Sequence, residues 1–88
     1  MRSQMLAARA AALFASDLPC GSRPDATLVE NAIAASVRRA GGTRGCVAAL
    51  AAAYGDYPET AAVRMRWARS VVQGAYEPSP APDLVLAA

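Results

Sequence analysis

The sequence predicts an all-α fold, a small bundle of about four short helices. Three observations predict it: apolar residues recur at intervals of three and four, no segment alternates with the period of a strand, and glycine and proline clusters divide the chain into helix-sized pieces. The 88 residues have room for one domain. We place this single helical domain at residues 1–76 and a tail at residues 77–88.

The first predicted helix runs from about Gln4 to Ala15 and carries an apolar stripe along one face: Leu6, Ala10, Leu13 and Phe14. Because Arg9 interrupts the apolar run, we interpret this segment as an amphipathic helix and not as a secretion signal. Two prolines and a glycine in residues 16–24 then predict a loop.

The second helix is predicted to begin near Asp25 or Thr27 and to end at Gly41-Gly42. Residues 27–30 have the spacing of a capping box, in which the threonine hydroxyl accepts a hydrogen bond from an amide of the first turn. The apolar stripe of this helix comprises Val29, Ile33, Val37 and Ala40.

The third helix is predicted to begin at Thr43, as its N-cap, and to extend through Tyr54. Gly55 follows it, where a positive φ commonly ends a helix. We expect the inner stripe to comprise Val47, Leu50, Ala51 and Tyr54.

The fourth helix is predicted from Pro58, as its first residue, to about Gln73. Its inner stripe comprises Ala61, Met65, Ala68 and Val72. Small side chains allow close helix crossings, which we expect at Ala51, Ala61 and Ala68. Three prolines in residues 77–88 predict a flexible tail.

The composition argues against an enzyme. All nine basic residues are arginine, so the chain has no lysine and no histidine for a Schiff base, a phosphate loop, an imidazole base or an imidazole metal ligand. We therefore expect no catalytic residue, no metal site and no cofactor. The glycine-rich segment at residues 41–45 lacks the lysine of a phosphate-binding loop and is interpreted as one helix end followed by the next helix start.

The cysteines and the hydropathy pattern predict a cytoplasmic protein without a membrane partner. Cys20 and Cys46 lack the spacing of a redox or zinc motif, and we expect Cys46 to pack as a small buried hydrophobe. No apolar stretch approaches the roughly 20 residues of a membrane span.

Residues 50–69 read LAAAYGDYPETAAVRMRWAR. This segment resembles the helix-turn-helix of sigma-factor region 4 and of LuxR-type regulators. In those families the first helix ends in Ile-Ala-x-x-Leu-Gly, and Thr-Val-x-x-Arg-Leu follows after four residues. The matching positions here are Leu50, Ala51, Tyr54, Gly55, Thr60, Ala61, Arg64 and Met65, and Ala68-Arg69 match the closing pair of the family pattern.

The resemblance implies a helix-turn-helix unit at residues 43–73 in a small DNA-binding or transcription-associated regulator. The residues that would contact DNA are Arg44, Thr60, Arg64, Arg66 and Arg69. The segment departs from the family pattern at Asp56, where an apolar residue is usual, and at Ala62 and Val63, where polar residues are usual. The arginine-only basicity also resembles that of small actinobacterial regulators.

Two functional interpretations remain open at the level of sequence. Between residues 36 and 76, six arginines stand against Asp56 and Glu59, which favours an anionic partner, although the arginines would also suit a solvated face paired with those acids. The alternative is a helical protein–protein module, a homodimer or an adaptor to another regulatory protein, without nucleic-acid binding. Its interface would be an apolar seam of Val63, Trp67 and Val71, unless Trp67 anchors the core.

Overall fold

The computed structural model describes residues 2–76, with side chains from residue 5 onward, and contains four helices. They are α1 (Arg2–Phe14), α2 (Ala26–Ala40), α3 (Thr43–Asp56) and α4 (Pro58–Tyr76), and each contacts the other three. The all-α bundle of four helices is confirmed, with no strand in the described range. The predicted flexible tail, residues 77–88, lies outside the described residues. Across residues 2–76, the helices are too short or too polar to cross a membrane.

The C-terminal half of α1 is the centre of the bundle. Five consecutive residues, Ala10 to Phe14, are buried. Because successive residues of a helix point about 100° apart, five in a row cover every direction around the axis. α1 is therefore enclosed by the other three helices in this half, and not amphipathic along its whole length as the sequence pattern suggested.

The main core forms where α2 and α4 meet α1. Leu13 and Phe14 of α1 pack with Val29 of α2 and with three residues of the predicted α4 stripe: Ala61, Ala68 and Val72. Met65, the fourth member of that stripe, packs against the cluster while partly exposed. A smaller cluster joins Ala11 and Ala12 to Cys46 of α3, so the expected burial of Cys46 is confirmed.

A cation–π contact joins the middle of α1 to the end of α4. The guanidinium carbon of Arg9 lies 3.9 Å from the centroid of the Tyr76 ring. Burial raises the pKa of the Tyr76 hydroxyl above its ordinary value, nearby Glu30 raises it further, and Arg9 lowers it. This contact attaches the last residue of α4 to the middle of α1.

The C-terminal end of α2 agrees with the prediction, whereas its N-terminal end differs from it. Gly41 adopts φ 81° and, with Gly42, closes the helix by hydrogen bonds to Arg38 and Val37 carbonyls. At the start, however, Asp25 is the N-cap, and its Oδ1 accepts from the Leu28 amide at 2.8 Å. The predicted capping box at Thr27 is wrong, because the aspartate two residues earlier already provides the cap.

The ends of α3 differ from the prediction. Thr43 is the first helical residue, not the cap, and Gly42 precedes it without a side-chain cap. Gly55 lies inside the helix and does not have the positive φ expected of it, since α3 continues to Asp56. Tyr57 alone separates α3 from α4, and its amide donates to the Ala53 carbonyl at 2.7 Å.

The rotation of α3 about its axis also differs from the prediction. The face toward the core carries Cys46, Leu50 and Ala53. Of the predicted inner stripe, Leu50 packs inward, whereas Val47, Ala51 and Tyr54 are exposed. Ala61 and Ala68 are buried at helix contacts as expected, but Ala51 is not.

Gly45 explains this rotation. A Cβ added at Gly45 would lie 2.9 Å from both the carbonyl carbon and the Cβ of Ala40, and would clash with the Ala40 carbonyl oxygen. The first turn of α3 is thus pressed against the last residue of α2. That close approach directs Cys46, and with it Leu50 and Ala53, toward α1.

We therefore expect Gly45→Ala to lower the free energy of unfolding by about 1–3 kcal/mol, because backbone atoms must move apart. Gly55→Ala is the matched control: nothing lies within 4 Å of its added Cβ, and the helical site should gain up to about 1 kcal/mol. Urea unfolding followed by far-UV circular dichroism measures both. Equal stability of the Gly45→Ala variant and the original chain would contradict the close contact of α3 with α2.

Candidate functional site

The five residues predicted to contact DNA do not share one face. Arg44 lies in the first turn of α3, and the other four lie on α4. At about 100° per residue, Thr60 and Arg64 point in one direction, while Arg66 and Arg69 point to another side of the helix, more than about 100° away. All are exposed except Arg64, which is partly buried.

Arg64 is engaged with the chain itself. Its Nε donates to the Phe14 carbonyl at 2.8 Å and its Nη2 donates to the Ser16 carbonyl at 3.0 Å. Its guanidinium carbon also lies 4.9 Å from the centroid of the Trp67 ring. Two of the five guanidinium N–H groups are therefore committed to the end of α1, which gives Arg64 a role in the fold, and its contact with DNA stays a prediction.

A second arginine completes the same cap. Arg39 of α2 donates from Nη2 to the Ala15 carbonyl at 3.2 Å and lies 3.8 Å from the Asp17 carboxylate. Three successive carbonyls at the end of α1 thus accept hydrogen bonds from guanidinium groups, which suit the negative end of a helix dipole. The sequence holds no local signal for this cap, because Arg64 and Phe14 are 50 residues apart.

Trp67 also stabilises the fold. Its indole N–H donates to the Ser22 carbonyl at 2.8 Å, and its ring packs against the main core cluster. Val71 packs against the same cluster, whereas Val63 is 50% exposed. Trp67 and Val71 line one wall of an open groove of about 480 Å³ between residues 21–26 and α4. Of the predicted interface seam, Val63 is therefore the member left on the open surface.

The surface that stands out is the outer face of α3, which we define as Val47, Ala48, Ala51, Ala52 and Gly55. All five residues are exposed, and Val47 retains 47% of its accessible surface. No charged side chain occurs in α3 between Arg44 and Asp56. Exposed apolar surface without charged side chains makes this face a candidate contact site for another molecule.

Two tyrosines border this outer face. Tyr54 stacks on the Phe14 ring at a centroid distance of 6.4 Å, yet remains 38% exposed. Tyr57, just beyond the end of α3, is 70% exposed. Tyrosine is enriched in the centres of protein interfaces because its ring combines a large apolar area with a polar hydroxyl.

No family model, curated protein or solved structure matches this chain. The resemblance to a helix-turn-helix therefore stays a prediction. Where the turn of this motif is expected, Tyr57 is the only residue between α3 and α4, whereas the motif uses a turn of three or four residues.

The role of Arg64 can be tested by unfolding. We expect Arg64→Ala to lower the free energy of unfolding by about 2–4 kcal/mol, because two charge-assisted hydrogen bonds to carbonyls at the end of α1 are lost. The free energy of unfolding of Arg64→Lys should fall between those of Arg64→Ala and the original chain, since an ammonium group lacks the planar fork of a guanidinium. Arg66→Ala, exposed on the same helix, is the control and should stay within about 0.5 kcal/mol. If Arg64→Ala and Arg66→Ala lower the free energy of unfolding equally, Arg64 does not have this structural role.

Proposed function

We propose that this chain is a non-catalytic helical module that binds another protein through the outer face of α3. The observation that carries this proposal is the apolar outer face itself. Cys46, Leu50 and Ala53 already attach α3 to the bundle, so the fold does not require Val47 or the alanines around it to be apolar. A helix that needs only one apolar face to fold usually has charged residues on the other.

Burial of this face is favourable by the ordinary hydrophobic effect, at about 25 cal/mol for each Å² of apolar surface. The small side chains of Ala48, Ala51 and Ala52 allow a partner helix to approach closely. Val47, Tyr54 and Tyr57 supply the larger side chains at the edge of such a contact. The absence of lysine and histidine from the chain further supports a role in binding and not in catalysis.

Photo-crosslinking in the source cells tests this proposal. A photoreactive phenylalanine analogue in place of Tyr57, an exposed ring at the edge of the outer face, should give a discrete adduct on irradiation. The control carries the same analogue in place of Ala34, an exposed alanine of α2, and should give none. If position 57 gives no more adduct than position 34, the outer face of α3 is not a protein interface.

A second candidate function, DNA binding, is favoured by three exposed arginines. Arg66 and Arg69 lie within about 60° of each other on α4, and Arg44 is exposed at the start of α3. Among the described residues, none of the three forms an ion pair with Asp56 or Glu59, the acids expected to neutralise them. Guanidinium groups can bind phosphates bidentately, although so few of them imply weak, salt-sensitive binding.

A gel shift on mixed genomic DNA at low salt tests this second function. If the chain binds DNA, the shift should be lost in the Arg66→Ala/Arg69→Ala double variant, because two of the three phosphate contacts disappear. It should persist in Arg38→Ala, which removes an exposed arginine of α2. The absence of a shift up to about 100 μM protein, the weak end of non-specific affinity, would exclude this function.

A further inference from the structure

We infer that residues 84–86 of the tail, Leu-Val-Leu, bind the open groove between residues 21–26 and α4 of the same chain. Three consecutive large apolar side chains favour burial, and a short tether keeps them close to the helical domain. The inference is independent of the proposed function, because no residue of α3 lines this groove. It limits the flexibility predicted for the tail, since residues 84–86 are then held at the domain.

The α4 side of the groove offers an apolar wall. Trp67, Val71 and Ala75 line it and are partly exposed, and the small residues Ser70 and Gly74 lie beside them. The groove volume of about 480 Å³ lies within the roughly 300–1,000 Å³ of sites that hold a small ligand. A few apolar side chains can therefore leave water by packing on the indole ring of Trp67 and on its neighbours.

The fold does not require the glycine at position 74. Gly74 lies inside α4 without a positive φ, and a Cβ added to it would meet nothing within 4 Å. Glycine inside a helix is less favourable than alanine, so the residue has a cost that no contact of the described residues explains. A segment lying close against this wall of α4 gives the missing side chain a reason.

The tail is long enough to return to this wall. The described part of α4 ends at Tyr76, nine residues or about 13.5 Å along the axis from Trp67. Proline suits the second position of a β-turn, so residues 77–80, Glu-Pro-Ser-Pro, can reverse the chain. From Pro80 to Leu84, four residues in the polyproline II conformation cover about 12 Å, which brings Leu84 back beside Trp67.

The distribution of charge favours the same placement. Within residues 77–88 every charged side chain is acidic, and Asp83 directly precedes the apolar segment. The loop side of the groove carries Arg23, which is exposed, and Asp25, whose carboxylate accepts a hydrogen bond from the Leu28 amide. With the apolar segment in the groove, the carboxylate of Asp83 lies within reach of the Arg23 guanidinium, and the two can form a charge-assisted hydrogen bond.

Fluorescence of the full chain tests the inference, because Trp67 is its only tryptophan. We expect Leu84→Ser/Leu86→Ser to raise the acrylamide quenching constant about twofold, because the exposed part of the indole ring loses its apolar cover. The matched control, Ala87→Ser/Ala88→Ser, also adds two serines to the tail and should quench like the original chain. Both variants should keep the far-UV circular dichroism of the original chain, since none of these positions lies in a described helix.

Charge reversal tests the placement of the segment. Arg23→Asp and Asp83→Arg should each raise the quenching constant, since like charges then face each other, and the double variant Arg23→Asp/Asp83→Arg should restore it. Arg66→Asp, which lies on α4 outside the groove, is the control and should quench like the original chain. Single variants that quench like the original chain, or a double variant without recovery, overturn the placement of Asp83 beside Arg23.

Dilution separates the chain's own tail from that of a second copy. A tethered segment has an effective concentration in the millimolar range, so the quenching constant should stay the same from about 1 μM to about 100 μM protein. A quenching constant that rises on dilution overturns binding within one chain and assigns the groove to the tail of a second copy. Equal quenching of Leu84→Ser/Leu86→Ser and Ala87→Ser/Ala88→Ser overturns the inference, because the tail then does not cover Trp67.

Discussion

The structure depends on how the buried end of α1 satisfies its backbone carbonyls. The last carbonyls of a helix have no partner within the helix, and a glycine-based cap or water usually provides one. α1 ends instead among other helices, where Arg39 of α2 and Arg64 of α4 donate to the carbonyls of Phe14, Ala15 and Ser16. The same bonds that cap α1 also attach α2 and α4 to it.

The alanine-rich composition allows the other helices to surround α1, and it also makes the fold depend on the hydrogen bonds that cap this helix. Alanines at positions 10 to 12 let three helices surround α1, but they contribute little apolar area. The large, almost fully buried side chains of the described residues are few: Leu13, Val29 and Val72. In so small a core, directed contacts such as the Arg64 cap and the bond from Trp67 to the Ser22 carbonyl carry more of the specificity of the fold.

The distribution of arginines connects the fold to the proposed function. Three arginines hold the bundle together. Arg9 packs on the Tyr76 ring, whereas Arg39 and Arg64 donate to carbonyls at the end of α1. α3 takes no part in that cap and presents an apolar outer face with one charge at each end. The surface proposed for a partner thus lies on a helix whose arginine is not used to hold the bundle together.

The sequence by itself determined the features that depend on neighbouring residues. The four helices, the end of α2 at Gly41, the start of α4 at Pro58 and the inner stripe of α4 all follow from local periodicity and backbone chemistry. Only the tertiary structure decided what depends on distant contacts. Arg64 matched a DNA-binding motif, yet its acceptors lie about 50 residues away in the chain.

The orientation of α3 shows the same division most clearly. α3 carries two apolar stripes, Cys46, Leu50 and Ala53 or Val47, Ala51 and Tyr54, which differ by about 100° of rotation. Hydrophobicity alone cannot choose between them. The contact of Gly45 with Ala40 selects the first, and so the tertiary structure leaves the second stripe toward the solvent.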